Sequence, residues 1–198
     1  MSTRWPARAR RAERGARHHA FVQTRYHRGL TIRPLVNGDV ATVSSLFARL
    51  GSRSRERRFC GAKPRLSGHE LARLARVDGR HHVLVGYAAG DPLPVGIARL
   101  VRDGASAEIA FEVADDYQGH GVGSLLAREL AADARAAGIT TLVATGCGDN
   151  PGVVSLLTRI AESLHVRWQS GEREIVVGLG RERVRTRSEG ARMVHGRG

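Results

Sequence analysis

Two kinds of residue in the run Ala107-Glu108-Ile109-Ala110-Phe111-Glu112-Val113-Ala114-Asp115-Asp116-Tyr117-Gln118-Gly119-His120-Gly121-Val122-Gly123-Ser124-Leu125-Leu126 can do chemistry. Glu108 and Glu112 are carboxylates, and either can accept a proton. Gly119, Gly121 and Gly123 remove every second side chain, so a ligand can lie against the backbone there. An apolar helical stripe follows at once. Amides at a helix start lack intrahelical acceptors and sit at the positive end of the helix dipole, an arrangement suited to phosphate. A nucleotide P-loop needs Gly-Lys-Ser/Thr, and Gly123 is followed by Ser124-Leu125, which excludes it. The dinucleotide fingerprint G-x-G-x-x-G, counted from Gly119, ends on Ser124 and is only weakly matched.

These residues need a strand, a turn and a helix to hold them. Ile109, Phe111 and Val113 alternate with Glu108, Ala110 and Glu112, the period of a strand. Val122, Leu125, Leu126, Leu130, Ala134 and Ala137 follow helical spacing. Upstream, residues 30–35 read as a short strand, and Asp39 caps a helix carrying Val40, Val43, Leu46, Phe47 and Leu50. Residues 52–59 are charged and read as irregular or a short helix. Ser67 and Glu70 make a capping box. Residues 82–87 and 94–101 read as strands joined by the turn-forming Gly90-Asp91-Pro92, and Arg102-Asp103-Gly104 leads by a hairpin into the central strand. Downstream come a buried strand over 139–145, a helix opened by Gly148-Asp149-Asn150-Pro151, and strands over 165–168 and 174–179. Hairpins beside a strand–helix–strand unit predict a mixed sheet in an α/β (α+β) domain.

The net charge of +13 on 198 residues belongs to the ends. Residues 1–29 carry eight Arg against one Glu, residues 181–198 six Arg against two Glu, and the remainder is nearly neutral. Both ends lack periodicity and read as a disordered basic arm and tail. Such tails can touch nucleic acid, but no basic patch interleaved with aromatics supports that role within the domain. No apolar run approaches the roughly 20 residues of a membrane span, and the N-terminus has no apolar signal region, so a cytoplasmic protein is expected. Cys60 and Cys147 fit no metal spacing and read as reduced thiols. His81-His82 lacks further ligands at suitable spacing, so no metal is expected.

Gln118-x-x-Gly121-x-Gly123, entered from a strand and leading into a helix, resembles the pyrophosphate motif of the GNAT superfamily of N-acetyltransferases, which hold acetyl-CoA. The resemblance covers residues 30–180. Leu30-Thr31-Ile32-Arg33-Pro34, the Ser54–Phe59 segment and the Asp103 hairpin look most like the bacterial protein-lysine acetyltransferase branch. It implies the acyl-CoA N-acyltransferase fold, a mixed sheet of six to seven strands flanked by about four helices. It also implies acetyl transfer from acetyl-CoA to a primary amine, with a protein lysine or a small amine as acceptor, in a monomer or homodimer. The pantetheine arm pairs with backbone at Phe111 and Val113. The pyrophosphate rests on amides of Gln118, Gly119, His120, Gly121, Val122, Gly123 and Ser124. Asn150 reaches the cofactor arm or simply caps its helix, and the first two helices wall the acceptor site. Glu108 stands close to where relatives place a base glutamate; Glu112 shares its face and is the other candidate. The Val113 amide meets the oxyanion.

Two departures stand out. Leu157 occupies the position where many members carry a proton-donating tyrosine, and Ala161-Glu162 replaces a usual Gly-Phe. A CoA-binding sensor without turnover is therefore the alternative reading.

Overall fold

The computed structural model describes residues 23–27, 29–146, 150–169 and 172–180. Expectations that fall on residues 1–22 and 181–198, on Cys147 and on Gly148-Asp149 lie outside the described residues. The chain runs β1 (Arg25–His27), β2 (Leu30–Pro34), α1 (Val40–Ala48), α2 (Ser52–Phe59), α3 (Gly68–Leu74), β3 (His81–Ala88), β4 (Pro94–Asp103) and β5 (Ser106–Val113). It continues through α4 (Val122–Ala136), β6 (Thr141–Gly146), α5 (Pro151–Thr158), β7 (Ser163–Gln169) and β8 (Glu172–Gly178).

The strands form one mixed sheet in the order β1-β2-β3-β4-β5-β6-β8-β7. Every pairing is antiparallel except β5 with β6. Parallel neighbours need a crossover, and α4 supplies it. Its buried stripe of Val122, Leu125, Leu126, Leu130 and Ala134 packs on Leu84, Ala98, Leu100, Ile109 and Leu142. Gly96 lets α4 come close, since a Cβ there would lie 2.8 Å from Leu126 Cδ1 and 3.0 Å from Val122 Cγ1. The opposite sheet face packs Val83, Val85 and Ile97 against Val43, Leu46 and Leu74 of α1 and α3.

The expected caps form. Asp39 Oδ1 accepts from the Thr42 amide at 3.0 Å. Ser67 and Glu70 exchange bonds at 3.3 and 2.9 Å, while Lys63 pairs with the Glu70 carboxylate and holds its pKa down to about 2.

Three features differ from the sequence reading. The sheet has eight strands and the described chain five helices. One added strand is β1, which reaches into the stretch read as an arm. It has no apolar alternation to announce it; polar contacts with α4 hold it. Arg25 pairs with Glu129 at 3.2 Å and with Asp133, and Asp133 also meets buried His82 at 2.8 Å. Of the two readings of residues 52–59, irregular or a short helix, the structure has the helix, fixed at its start by Asp115 Oδ2 accepting from the Gly51 amide at 3.1 Å. Finally, Cys60 is disulfide-bonded, which corrects its reading as a reduced thiol.

Among the described residues no cluster of three or more His, Cys, Asp or Glu is arranged for a metal ion. No helix among them is long and apolar enough to cross a membrane.

Candidate active site

The parallel register between β5 and β6 runs Ser106↔Thr141, Ala107↔Leu142, Glu108↔Val143 and stops. β5 continues to Val113, still paired with β4, while β6 continues to Gly146 against β8. Beyond Glu108 the two strands part. One edge of residues 109–113 therefore has no strand beside it. A cleft of about 550 Å³ opens there, lined consecutively by Ile109, Ala110, Phe111, Glu112 and Val113. Side chains alternate across a strand, so five successive residues line one cleft through their shared backbone edge. Backbone amides and carbonyls demand partners, and an extended ligand bearing amides can take the place of the missing strand.

The same cleft ends on the glycine turn. A 3-10 turn over Asp115–Tyr117 leads into Gly119 and Gly121, whose φ values of +79° and +83° are left-handed and strained for residues with a Cβ. Gly121 is the N-cap of α4 and offers no side-chain cap. The first helical bond returns from the Leu125 amide to Gly121 O at 3.0 Å, so the amides of Val122, Gly123 and Ser124 are left for a ligand. Gly123 allows α5 to close over this end, because a Cβ there would lie 2.9 Å from Leu156 Cδ1. Donors, dipole and space together suit a phosphate group.

A polar clasp ties α2 to this turn. Asp115 Oδ1 accepts from Ser54 Oγ at 2.7 Å, and the Gln118 side-chain amide lies 3.0 Å from Asp115 Oδ1, 3.1 Å from Ser54 Oγ and 3.2 Å from Val113 O. The Gln118 side chain thus braces the loop. From there α2 runs down β5, and Arg58 Nε meets Glu112 Oε1 at 2.7 Å. Arg99 Nη2 stands 3.6 Å from Glu112 Oε2. Burial alone raises the Glu112 pKa, but the charges of Arg99 and Arg58 outweigh it and hold the carboxyl below its usual range. Burial lowers the Arg99 pKa in turn. Glu112 is therefore a locked anion at the cleft wall.

Glu108 is exposed, on the same strand face, four residues back and so about 13 Å away. It occupies the last paired position before the strands part and does not itself line the cleft; Ile109 and Ala110 beyond it do. Phe111, Glu112, Val113, Gln118, Gly119, Gly121, Val122, Gly123, Ser124 and Asn150 come together around the cleft. His120 stays outside it, with Nδ1 at 2.9 Å from Gln118 O and its ring edge-on to Tyr117. Asn150 caps α5, Oδ1 accepting from the Val153 amide at 3.4 Å. That leaves its Nδ2 without a partner among the described residues.

Leu157 is fully buried in the core, so that position belongs to packing. Sequence reasoning missed Arg57, Arg58, Tyr117 and Arg159, which also line the cleft. Ser54, Arg57 and Arg58 stand at helical i, i+3, i+4 spacing, a signal that becomes legible once residues 52–59 are taken as helix. The Tyr117 phenol is raised chiefly by its hydrogen bond to Asp91, with the Arg49 guanidinium 5.1 Å from the ring centre.

Comparison with known proteins agrees with this architecture. The acetyltransferase (GNAT) family model matches residues 45–161. Acetyltransferase Pat of Mycolicibacterium smegmatis is 32% identical over 143 residues, covering 70% of this chain and 43% of the relative. The chain thus spans less than half the length of that relative. The GNAT domain of S. lividans PAT superposes with a TM-score of 0.68 at 25% identity, covering 76% of this chain and 90% of that domain. Spermidine N-acetyltransferase from Vibrio cholerae, solved with CoA and spermine, shares the fold with a TM-score of 0.56 at 20% identity, covering 76% and 96%. A strand pair that parts over an uncapped, glycine-led helix, matched by family and fold alike, places this chain in the acetyltransferase (GNAT) family.

Proposed function

We propose that the protein transfers the acetyl group of acetyl-CoA to a primary amine, with a protein lysine as the acceptor and Glu108 as general base. The observation that carries this reading is the continuity of one cleft. The unpaired edge of residues 109–113 leads directly to the uncapped start of α4, which fits an extended diamide arm ending in a pyrophosphate. Phe111 and Val113 would hold the arm, the amides from Gly119 to Ser124 the pyrophosphate, and the Asn150 Nδ2 group the arm's far side.

An amine with a pKa near roughly 10.4 arrives protonated, and only its free form attacks the thioester. Glu112 is poorly suited to take that proton, because two guanidinium groups already stabilise its anion. Glu108 carries no such pair and stands where the strands part, so it draws the proton through a bridging water. The Val113 amide supports the oxyanion. The choice of a protein lysine rests on the resemblance of Leu30–Pro34, the Ser54–Phe59 segment and the Asp103 hairpin to the bacterial protein-lysine acetyltransferase branch. We take residues 30–180 as the catalytic domain and place it in the cytoplasm.

The test pairs calorimetric titration of acetyl-CoA with steady-state acetylation of a lysine peptide by wild type and Glu108→Gln. Unchanged acetyl-CoA affinity with kcat lowered by about 10² or more is expected for loss of a general base. Full activity in Glu108→Gln sinks the base assignment. Acetyl-CoA binding without turnover on any amine points instead to the sensor reading.

A further inference from the structure

Arginine is in excess among the described residues of the cleft: Arg57, Arg58, Arg159 and Arg173 line it against a single acid, Glu112. Their positions separate them. Arg58 is committed to Glu112 at 2.7 Å. Arg159 follows Leu156 by one helical turn, and Leu156 touches the glycine at the start of α4, so Arg159 belongs to the phosphate end. Arg57 belongs to the other end. α2 starts beside the phosphate turn, where Ser54 contacts Asp115 and Gln118, and one turn later Arg58 reaches Glu112. Helical rise carries Arg57 about 4.5 Å along the axis beyond Ser54, toward residues 109–112 and away from the turn. Arg57 has no hydrogen bond or ion pair with any other described residue, although Arg55 on the same helix is held by Pro64 O and Phe47 O.

An unpartnered guanidinium at this place repels a bare ammonium group and attracts a carboxylate, which it binds through a planar fork of donors. Resting on the amine-acceptor reading above, we propose that the acceptor carries a carboxylate next to its reactive amine, and that Arg57 determines this specificity by binding it. An acidic residue flanking a lysine supplies that chemistry, and so does the α-carboxylate of a small amino acid.

Fluorescence anisotropy on the CoA-loaded protein tests this with two labelled peptides that differ only in having aspartate or asparagine on both sides of one lysine. Competition by free lysine and by lysine amide forms the small-molecule arm. The expected result is about tenfold tighter binding of the carboxylate-bearing member of at least one pair, as for a charge-assisted hydrogen bond. Whichever pair shows it identifies the source of the carboxylate. Arg57→Gln abolishes the difference, while Arg53→Gln, an exposed position on α2 outside the cleft, keeps it. Equal binding within both pairs overturns the proposal. So does a preference that survives in Arg57→Gln, or a loss of CoA affinity in that variant with the preference intact. Acetylation rates measured alongside separate the two readings: turnover without preference defeats this inference alone, and preference without turnover defeats the acetyl-transfer reading alone.

Discussion

Replacing Glu112 by glutamine distinguishes an anion that holds the structure from one that takes a proton. In the wild type the Glu112 carboxylate lies between Arg58 and Arg99, with its own side chain 7% exposed and Arg99 8% exposed. Arg58, at 24%, can turn to water when the charge is removed, but Arg99 cannot. The variant therefore leaves one buried guanidinium without its counter-ion, and breaking such a pair from one side costs about 3–5 kcal/mol. Arg99 keeps its bond to Leu74 O, and glutamine keeps one acceptor oxygen, so the lower end, about 3 kcal/mol, is expected. In a domain of this size that lowers Tm by about 6–12 °C.

The pH dependence has a definite sign. The folded pKa of Glu112 lies below its ordinary 4.5, so its contribution is complete above that value and fades as pH falls through the folded pKa. The gap in Tm between wild type and Glu112→Gln should be constant from about pH 5 upward and shrink below it. Thermal unfolding by circular dichroism across pH 3–8 measures this. An unchanged Tm at pH 7, together with a kcat that no longer rises with pH, would falsify the assignment and make Glu112 the base.

Two further outcomes follow from packing elsewhere. Gly96→Ala puts a Cβ 2.8 Å from Leu126 Cδ1 and 3.3 Å from Glu112 O, and both neighbours are fixed by the core. It should cost about 1–3 kcal/mol and, by displacing the first turn of α4, weaken acetyl-CoA binding in calorimetry; unchanged stability and affinity would show that α4 can shift freely. Asp133→Asn removes the anion shared by His82 and Arg25 and should cost about 3 kcal/mol. Burial raises the Asp133 pKa, but His82 and Arg25 outweigh it and depress the folded value below the ordinary 3.8. The loss should thus be full at pH 7 and disappear below that value, as read by urea melts at several pH values.

Periodicity and caps made most of the fold legible. The central strand, α4 and the Ser67–Glu70 box each announce themselves by local spacing, and the structure keeps them where that spacing puts them. β1 did not, because its place depends on ion pairs from Arg25 to Glu129 and Asp133, more than a hundred residues away. Long-range polar contacts leave no local period. The glycine turn was legible for the same local reason as α4: its glycines mark where the backbone at the helix start is open to a ligand.

The glutamates were harder because strand alternation assigns them one face and says nothing of what covers it. Glu108 pairs in register with Val101 and Val143, and Glu112 with Ile97. Neither register partner decides their chemistry. α2 decides it, since Arg58 covers Glu112 and the helix ends at Phe59. The segment that looked like a charged surface stretch thus separates two otherwise similar carboxylates, pairing Glu112 and leaving Glu108 exposed. It clamps the glycine turn at the start of α4 through Ser54, neutralises one glutamate through Arg58, and leaves Arg57 facing the cleft. Removing the Arg58 charge, as in Arg58→Gln with Arg57 intact, should release Glu112 from its exposed-side partner without emptying the cleft of positive charge, so this variant and Arg57→Gln together separate the two effects of α2.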